Sequence, residues 1–526
     1  MCAILSHITV SNGVQWFCAR MESHIKNLAW FLTMCLISAT NCTYRDTTSN
    51  TIQKLLHTLQ PAWEVVSDEV QAILSATPKR GSSLLEFSPH ASQGNYSKSE
   101  VGDPLFLTPL LEANKVSQAR KQAKVGEISA IPSYTGFMTV NKNFNSNMFF
   151  WYVPAAFNAE TAPLVVWLQG GPGGSSLFGF FVEHGPFYVD KEINLRLRPT
   201  SWALTYNMLY IDQPVGTGFS FTESEEGYAK NQEDVARDLY DFMQQFYKMF
   251  PELLQNELYI TGESYAGKYV PAISYKIHQE NKKGNQPKLP LTGLAIGDGL
   301  CDPENQLAYG EFIFQIGLVD EKDRDIMKDI SKVIKGYIRA KDWPKAARAY
   351  DNVIDYFENK TQLSFYYNYL LSDQPDTFTY YTQWLEKPSV RKDIHVGKLK
   401  YSDISMTVHQ YLYEDMPKTI KPWLETLLDA NYKVMIYNGQ LDVIIAYPAT
   451  EHFIADLNWQ GKSQYKEASR LVWKVGGDVA GYAREVGNFR QVMVRDSGHI
   501  LPYDQPKWAF DMMHRFIQGK SFGDKA

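Results

Sequence analysis

The chain has 526 residues, of which 44% are hydrophobic and 21% are charged, a balance that is ordinary for a globular protein with a large core. The formal net charge is −6 and no long basic run occurs, so nucleic acid is not expected as a partner. Aromatic residues make up 14% of the chain, which suits either an aromatic-rich core or a cleft that binds peptide.

Residues 1–40 are predicted to be a signal peptide with an upstream extension, in which Met21 competes with Met1 as the start. Lys26 precedes the short apolar stretch Leu28–Ser38, and small residues follow it. The stretch is too short for a membrane span and no later apolar run is longer, so no span is expected in the mature chain. The protein is therefore expected in the secretory pathway, either secreted or in a lysosomal, vacuolar or yolk-granule lumen.

Sequons and cysteines bear on the same prediction. Asn95 and Asn359 stand in Asn-X-Ser/Thr sequons and are the expected glycosylation sites, whereas Asn41 lies too near the cleavage site. Only Cys301 and, depending on the cleavage, Cys42 would remain in the mature chain, so a disulfide framework is not expected. The core is large enough that cross-links are not required.

The rest of the chain divides into three kinds of sequence. Residues 41–125 are polar, which indicates an N-terminal extension, a propeptide or a loosely attached arm, with one amphipathic helix over Leu55–Leu74. Over 126–302 and 419–526, apolar runs alternate with helical stretches, which predicts an α/β core with a mostly parallel sheet. This alternation disappears over 303–418, which is expected to be a helical cap inserted between two strands.

Seven segments are predicted as strands of this sheet: Met148–Pro154, Leu164–Leu168, Met208–Ile211, Leu258–Ile260, Leu294–Ile296, Val434–Tyr437 and Val492–Val494. Asp234–Phe250 is predicted to be a helix, because its apolar residues fall on one face.

Ser264 lies in a Gly-X-Ser-X-small pattern directly after the predicted strand Leu258–Ile260. A strand that turns sharply into a helix at such a serine is a nucleophile elbow, which holds the hydroxyl above the sheet. The small residues Gly262 and Ala266 let the turn close. The pattern alone recurs by chance, but after a strand it predicts an α/β-hydrolase fold, with helices on both faces of the sheet.

A serine hydroxyl needs a base, and in α/β-hydrolases the acid and the histidine follow the serine in that order. Asp442 follows a predicted strand and a glycine turn, and His499 follows the last predicted strand. His499 is expected to take the Ser264 proton while Asp442 orients the imidazole. Asp496 is a rival acid only three residues before His499, and it ranks below Asp442.

The glycine-rich segment Gln169–Ser176 follows an early strand. Clustered glycines expose backbone N–H groups, as an oxyanion hole requires, and the expected donors are the N–H groups of Gly171 and Tyr265. A flexible loop is the alternative. A phosphate loop would end in Gly-Lys-Ser/Thr, which is absent here.

Taken together, these segments resemble the serine carboxypeptidase family, peptidase S10, and most of all its vitellogenic carboxypeptidase-like branch. The resemblance covers roughly residues 104–520. The motifs that carry it are Trp167–Gly173, Asp212–Ser220, Gly262–Gly267, Asn438–Asp442, Val479–Tyr482 and Gly498–Pro506.

The resemblance implies exopeptidase action at the C-terminal peptide bond of peptides and proteins, with no cofactor and no metal. It also implies a hydrogen-bond network for the substrate's terminal carboxylate, formed by Trp167, Gln169, Gly170, Glu183 and Glu263. The chain departs from the family at two positions. Gln169 stands where most members have Asn, and Gly174 stands where many have Cys, which puts the family's disulfides in doubt but not the triad.

Two other functions are open at this point. An acyltransferase on the same scaffold would pass the acyl group to an alcohol, and a protective or storage protein would need no intact triad. The oligomeric state is also open, with a homodimer as one alternative. Because Glu183 and Glu263 would face a carboxylate, one of them is expected to carry a proton, which predicts an acidic pH optimum.

Overall fold

The computed structural model describes residues 67–76, 96–126 and 131–524. The chain divides into two units, Met1–Val65 and Val66–Ala526, and all described residues lie in the second. The predicted signal peptide and the sequon at Asn95 lie outside the described residues.

A ten-stranded sheet organises the second unit, in the order β1-β2-β6-β3-β7-β8-β9-β12-β11-β10. A separate two-stranded sheet is formed by β4 and β5. The strands are β1 Tyr134–Asn141, β2 Ser146–Val153, β3 Leu164–Leu168, β4 Phe187–Val189, β5 Leu195–Leu197, β6 Asn207–Ile211, β7 Leu258–Glu263, β8 Leu291–Gly297, β9 Lys433–Gly439, β10 Leu471–Val475, β11 Asp478–Val486 and β12 Phe489–Val494.

The six central strands, from β6 to β12 in the sheet order, run parallel to one another. The two strands at each edge are added by antiparallel pairing. Because the carboxyl ends of parallel strands meet at one edge of a sheet, the loops after β3, β7, β8, β9 and β12 converge there. Every predicted strand segment overlaps a strand of this sheet.

The helices of the described residues are α1 Asp68–Ser75, α2 Lys98–Val101, α3 Thr108–Glu112, α4 Val116–Ala123, α5 Gln232–Met249, α6 Ala266–Lys283, α7 Tyr309–Gln315, α8 Glu321–Arg339, α9 Trp343–Thr361, α10 Tyr380–Leu385, α11 Pro388–Asp393, α12 Met406–Leu412, α13 Lys421–Asp429, α14 Tyr447–Asp456, α15 Lys462–Glu467, α16 Leu501–Asp504 and α17 Pro506–Gln518. The predicted helix Asp234–Phe250 corresponds to α5. None of the described helices is both long and apolar enough to cross a membrane.

Each face of the sheet has its own apolar core, because successive side chains of a strand point to opposite faces. Val166 of β3 packs in the same core as Phe242 of α5 and Ile277 of α6. Val165, its neighbour in the strand, packs in the other core with Phe516 of α17. This two-layer burial explains why β3 reads as an uninterrupted apolar run.

The chain between β8 and β9 contains helices and no strand of either sheet. The elbow helix α6 is fastened to the end of this region by Lys268, which is fully buried and donates hydrogen bonds to the backbone carbonyls of Asp415 (2.8 Å) and Lys418. Residues 303–418 are thus helical and contact the core, whereas the boundaries of a cap domain there stay a prediction.

The described parts of the predicted extension 41–125 pack on the second unit. The backbone of Leu105 and Leu107 pairs with Phe137 of β1 through two hydrogen bonds of 2.9 Å. Asn352 of α9 donates a 2.8 Å hydrogen bond to the carbonyl of Ile73 at the end of α1. The helix predicted over Leu55–Leu74 is described only in its last part, where α1 begins at Asp68.

Five strands, β1, β4, β5, β10 and β11, were not among the predicted segments. β4 and β5 form the separate small sheet, β1 and β10 are the edge strands of the large sheet, and β11 lies next to β10. β11 is only partly covered and mixes charged with apolar residues, so its sequence lacks a continuous apolar run. Cys301, the cysteine of the described part, is buried and forms no disulfide.

Candidate active site

Ser264 lies between β7 and α6 with a φ of +62°, in the left-handed region that side chains with a Cβ rarely adopt. Its N–H donates to the carbonyl of Gly297 (2.9 Å), and its own carbonyl accepts from Gly267 (2.9 Å) and Leu300 (3.0 Å). These three hydrogen bonds hold the strained residue between two strand ends. The predicted turn is therefore present, with Ser264 at its apex.

Close packing around the turn accounts for the small residues of the sequence pattern. A Cβ on Gly262 would lie 2.3 Å from the carbonyl oxygen of Leu168, and one on Gly170 would lie 2.6 Å from the backbone nitrogen of Tyr265. Neither position can accept a side chain without movement of the backbone. The glycine-rich loop and the elbow are thus packed directly against each other.

His499 and Asp442 meet at the ends of β12 and β9, and both are buried. His499 Nδ1 lies 2.7 Å from Asp442 Oδ2. The other carboxylate oxygen accepts backbone N–H groups of Ile444 (2.8 Å) and Ile445 (3.2 Å), which fix its orientation. The rival acid Asp496 is exposed and makes no contact with the imidazole.

The second nitrogen of the imidazole, Nε2, is not the one bound by Asp442. His499 Nε2 is buried and has no hydrogen-bond partner among the described residues, and His499 and Ser264 line the same cleft. Tyr367 stacks on the imidazole with ring centroids 4.7 Å apart, and the backbone carbonyl of Tyr367 accepts the backbone N–H of His499 at 2.6 Å. His499 is therefore positioned by Asp442 at Nδ1, by the ring of Tyr367 and by a backbone hydrogen bond, whereas its Nε2 makes no hydrogen bond among the described residues.

The predicted oxyanion donors lie beside Ser264. Gly171 has a φ of +114°, and a Cβ there would lie 2.7 Å from the nitrogen of Gly174. Its N–H and that of Tyr265 have no acceptor among the described residues. Two adjacent backbone donors without an acceptor are the arrangement that stabilises a developing oxyanion.

The glycine-rich loop is fastened by the helical region on one side and by a buried acid on the other. Ser175 N–H donates to the carbonyl of Asp403, and Ser405 N–H donates to the carbonyl of Gly173, both at 2.9 Å. Asp212, within another family-like motif, accepts Ser175 Oγ at 2.6 Å and Ser176 N–H at 3.1 Å. The loop conformation thus depends on contacts that are distant in sequence.

The residues predicted to bind a carboxylate form one connected cluster. Trp167 Nε1 donates to Gln169 Oε1 (2.8 Å), and Gln169 Nε2 donates to Glu263 Oε1 (2.7 Å). Glu183 and Glu263 are both fully buried, and Glu263 Oε2 and both Glu183 oxygens have no partner among the described residues. The side chain of Gln169 thus still connects Trp167 to Glu263.

Burial raises the pKa of both glutamates. The pKa of Glu183 rises to about 8, because burial outweighs the opposing effects of the neighbouring Glu263 and Gln169 side chains and of the nearby Arg198 charge. The pKa of Glu263 rises well above its usual value, first through burial and then through the charges of Glu183 and Asp298. The two acids interact, so they titrate as a pair that holds at least one proton at acidic pH.

Sequence reasoning missed three residues that support the site. Arg198 is largely buried near Glu183 and donates to the carbonyls of Gly185 (3.1 Å) and Phe187 (3.2 Å). Tyr367 comes from the helical region, and no local pattern connects it to His499. Asp298, in the Gly-Asp-Gly sequence after β8, could have been found because it follows a strand that ends at the same edge as the triad.

Two clefts meet at Ser264. The first is lined by the carboxylate-binding candidates Gln169 and Glu263, together with His499 and aromatic residues. The second lies on the Tyr265 side and is lined by residues that include Asp351 and His409. A peptide that crosses Ser264 would therefore place its two sides in different clefts.

This arrangement of a serine elbow, a histidine and an acid at the strand ends of a mostly parallel sheet defines the class of α/β-hydrolases. The model of the peptidase S10 family, described as serine carboxypeptidase, matches residues 124–519. The chain belongs to the serine carboxypeptidase family.

Curated relatives agree with the family model. The chain is 49% identical to the probable serine carboxypeptidase CPVL of Homo sapiens over 439 residues, which are 81% of this chain and 92% of that protein. It is 46% identical to the vitellogenic carboxypeptidase of Aedes aegypti, over 79% of this chain and 90% of the relative. The venom serine carboxypeptidase of Apis mellifera is also 46% identical, over 80% and 92%.

Among solved structures, Kex1Δp, a prohormone-processing carboxypeptidase from Saccharomyces cerevisiae, superposes with a TM-score of 0.69 at 24% identity, covering 76% of this chain and 96% of that chain. This likeness supports the fold. The predicted family, fold class and enzyme class are confirmed.

The pKa of the buried glutamates predicts how stability depends on pH. The pKa of Glu183 in the folded protein lies above its ordinary value of 4.5. The contribution of Glu183 to the free energy of unfolding is therefore fully present below pH 4.5 and is lost as the pH rises toward about 8. We expect the melting temperature to fall by a few degrees between pH 5 and pH 8, and to fall less when Glu183 and Glu263 are both replaced by Gln. Calorimetry with the exposed Glu160→Gln as control tests this, and equal slopes for all three proteins would contradict it.

Proposed function

We propose that the chain removes single residues from peptide C-termini through an acyl-enzyme on Ser264, with His499 as base and Asp442 as its orienting acid. The observation that carries the proposal is the imidazole, whose Nδ1 is bound by Asp442 and whose Nε2 is left for the hydroxyl of Ser264. A histidine oriented in this way can take a proton from one side only.

In the proposed reaction, Ser264 Oγ attacks the carbonyl carbon of the last peptide bond while His499 Nε2 takes its proton. The negative oxygen that forms accepts the N–H groups of Gly171 and Tyr265. His499 then gives the proton to the leaving amine, the C–N bond breaks and the free amino acid departs. Water attacks the ester by the reverse of these proton transfers, which restores the Ser264 hydroxyl.

The restriction to C-termini is assigned to the cluster of Gln169, Glu183 and Glu263, with Trp167 and the backbone of Gly170 beside it. The support is that Gln169 and Glu263 line the first cleft together with Ser264, that Glu183 is buried and interacts electrostatically with Glu263, and that the pair is protonated at acidic pH. A protonated carboxyl donates a hydrogen bond to a substrate carboxylate, whereas two ionised glutamates would repel it. The same cluster therefore selects a free terminus and sets an acidic working range.

Of the two other functions, neither has an observation in its favour. A protective or storage role without catalysis would leave the elbow, the imidazole and the acid without a reason to be assembled. An acyltransferase would use the same acyl-enzyme, and a peptide assay with and without alcohol acceptors separates the two activities.

For location, we propose a lumen of the secretory pathway or the exterior. Two of the relatives are a venom and a vitellogenic carboxypeptidase, and their names agree with such a place. Asn359, the sequon within the described residues, is exposed near the end of α9. Glycosylation at Asn359 and Asn95 stays a prediction.

Replacing the nucleophile tests the triad. Ser264→Ala should lower kcat by about four to six powers of ten, because the acyl-enzyme cannot form, while the melting temperature stays close to wild type. The matched control is Asp496→Asn, which removes the exposed acid near His499 and should leave peptide hydrolysis unchanged. Near-normal turnover by a pure, folded Ser264→Ala protein would rule out the assigned nucleophile.

Changing the substrate terminus tests the carboxylate cluster. Amidation of the C-terminus should reduce kcat/KM by about tenfold to a few hundredfold, because buried polar groups lose their acceptor at about 1–3 kcal/mol each. The measurement is mass spectrometry of matched free and amidated peptides. Equal rates, or internal fragments, would contradict exopeptidase action.

The pH profile tests the proton of the glutamate pair. Wild-type kcat/KM should be highest in acid and fall as the pH rises toward about 8, where the pair loses the proton that the substrate carboxylate needs. Gln donates at every pH, so Glu183→Gln and Glu263→Gln should lose this alkaline fall or shift it upward. A wild-type rate that rises through neutrality, with the same profile in both variants, would show that the pair does not control binding.

A further inference from the structure

Asp298 is a second buried acid at the triad, and neither the sequence patterns nor the proposed reaction gives it a role. It follows β8 directly, with a φ of +42° and with no exposed surface. Its N–H donates to the carbonyl of Tyr437 in β9 at 2.8 Å. The residue before it, Gly297, accepts the N–H of Ser264, so the backbone of Asp298 is built into the elbow.

The two oxygens of Asp298 have different surroundings. Oδ1 accepts the N–H of Gly439 (2.9 Å) and the side-chain amide of Asn438 (3.3 Å), which fixes the carboxyl group. Oδ2 is buried and has no hydrogen-bond partner among the described residues. Ligand atoms of Asp298, Asp442 and His499 lie within 4.8 Å of one another. The side chain thus lies against the acid that orients the imidazole.

The groups around Asp298 favour the protonated, neutral form of its carboxyl group. Asp442 and His499 face it from the loops after β9 and β12, and Glu263 and Tyr437 face it from β7 and β9. No Lys or Arg of the described residues forms an ion pair with Asp298 or Asp442. Burial, followed by the charge of Asp442, raises the pKa of Asp298 well above its usual value.

From this geometry we propose that Asp298 is a positioning residue that keeps its proton, donates it in a hydrogen bond to Asp442, and thereby weakens the hold of Asp442 on the His499 proton. A carboxylate that accepts an additional hydrogen bond has part of its charge balanced, so it stabilises a neighbouring imidazolium less. The imidazole then stays unprotonated to lower pH. The proposal rests on the assigned triad and adds a residue to it.

The hydrogen bond from Asp298 to Asp442 reconciles two opposed requirements of the proposed function. The glutamate pair needs acidic conditions to keep its proton, whereas His499 must be unprotonated to act as a base. A hydrogen bond from Asp298 to Asp442 extends the range in which both conditions hold. A purely structural Asp298, which only caps the turn at Gly439, would stabilise the fold but would leave the pH range of the base unchanged.

The test compares Asp298→Asn with Asp298→Ala in the full chain. Asn keeps an acceptor for Gly439 and presents an N–H donor to Asp442 at every pH, whereas Ala has neither. The probe is a fluorophosphonate, which reacts with an activated serine and carries no carboxylate, so the glutamate pair does not enter the measurement. The second-order rate constant is followed between pH 4 and pH 8, with melting temperatures for both variants.

We expect Asp298→Asn to react within about threefold of wild type with the same acid limb. Asp298→Ala should be slower by about tenfold to a hundredfold, and its acid limb should move about one unit to higher pH. If Ala does not fold, Asp298→Ser, which is small and polar, takes its place. In addition, the downfield proton resonance of His499 Nδ1–H should move in the Ala or Ser variant and be retained in Asn.

Two results would overturn the proposal: an acid limb in Asp298→Ala or Asp298→Ser that matches wild type, or an equal loss and shift in a folded Asp298→Asn. The failure of the triad itself would look different. In that case wild type would not react with the probe, or Ser264→Ala would react as wild type does.

Discussion

The site is governed by the burial of four carboxyl groups around one serine without Lys or Arg ion pairs among the described residues. Glu183, Glu263, Asp298 and Asp442 have no exposed surface, and within the described residues the ion pair that any of them forms is that of Asp442 with His499. Buried carboxylates that cannot be paired with cations are balanced by protons or by hydrogen bonds. The protonation of these four carboxyl groups is thus determined by the structure of the site as well as by the pH of the solution.

The fold explains why so many acids meet at one point. Glu263 ends β7, and Asp298 and Asp442 follow β8 and β9, which are neighbours in the parallel part of the sheet. Parallel strands end at the same edge, so residues far apart in sequence are brought together there. The positive φ of Ser264 can persist because Gly297, Gly267 and Leu300 bind its backbone from both sides.

The sequence was sufficient to predict the central strands, and it singled out Ser264, Asp442 and His499 as the candidate triad, because both leave local signals. An apolar run marks a strand that is buried on both faces, and Ser264, Asp442 and His499 each follow such a run. The contact of Tyr367 with His499 and the anchoring of the glycine loop by Asp403 leave no such signal, since they join the helical region to the core. Strand β11, next to the edge strand β10, was missed because its side chains are only partly buried.

A serine hydrolase that works in acid must keep a carboxyl protonated a short distance from an unprotonated imidazole. These needs are opposed in water, where the carboxyl ordinarily loses its proton before the imidazole does. Burial changes this for the carboxyl groups, because it disfavours their charged form and raises their pKa. The imidazole that acts as a base must stay neutral. Asp442 works against this for His499 by stabilising the imidazolium. A neutral donor at Asp442 reduces that effect without removing the orientation that Asp442 provides. Asp298 has the place for this role, because β8 lies between β7, which ends in Glu263, and β9, which leads to Asp442.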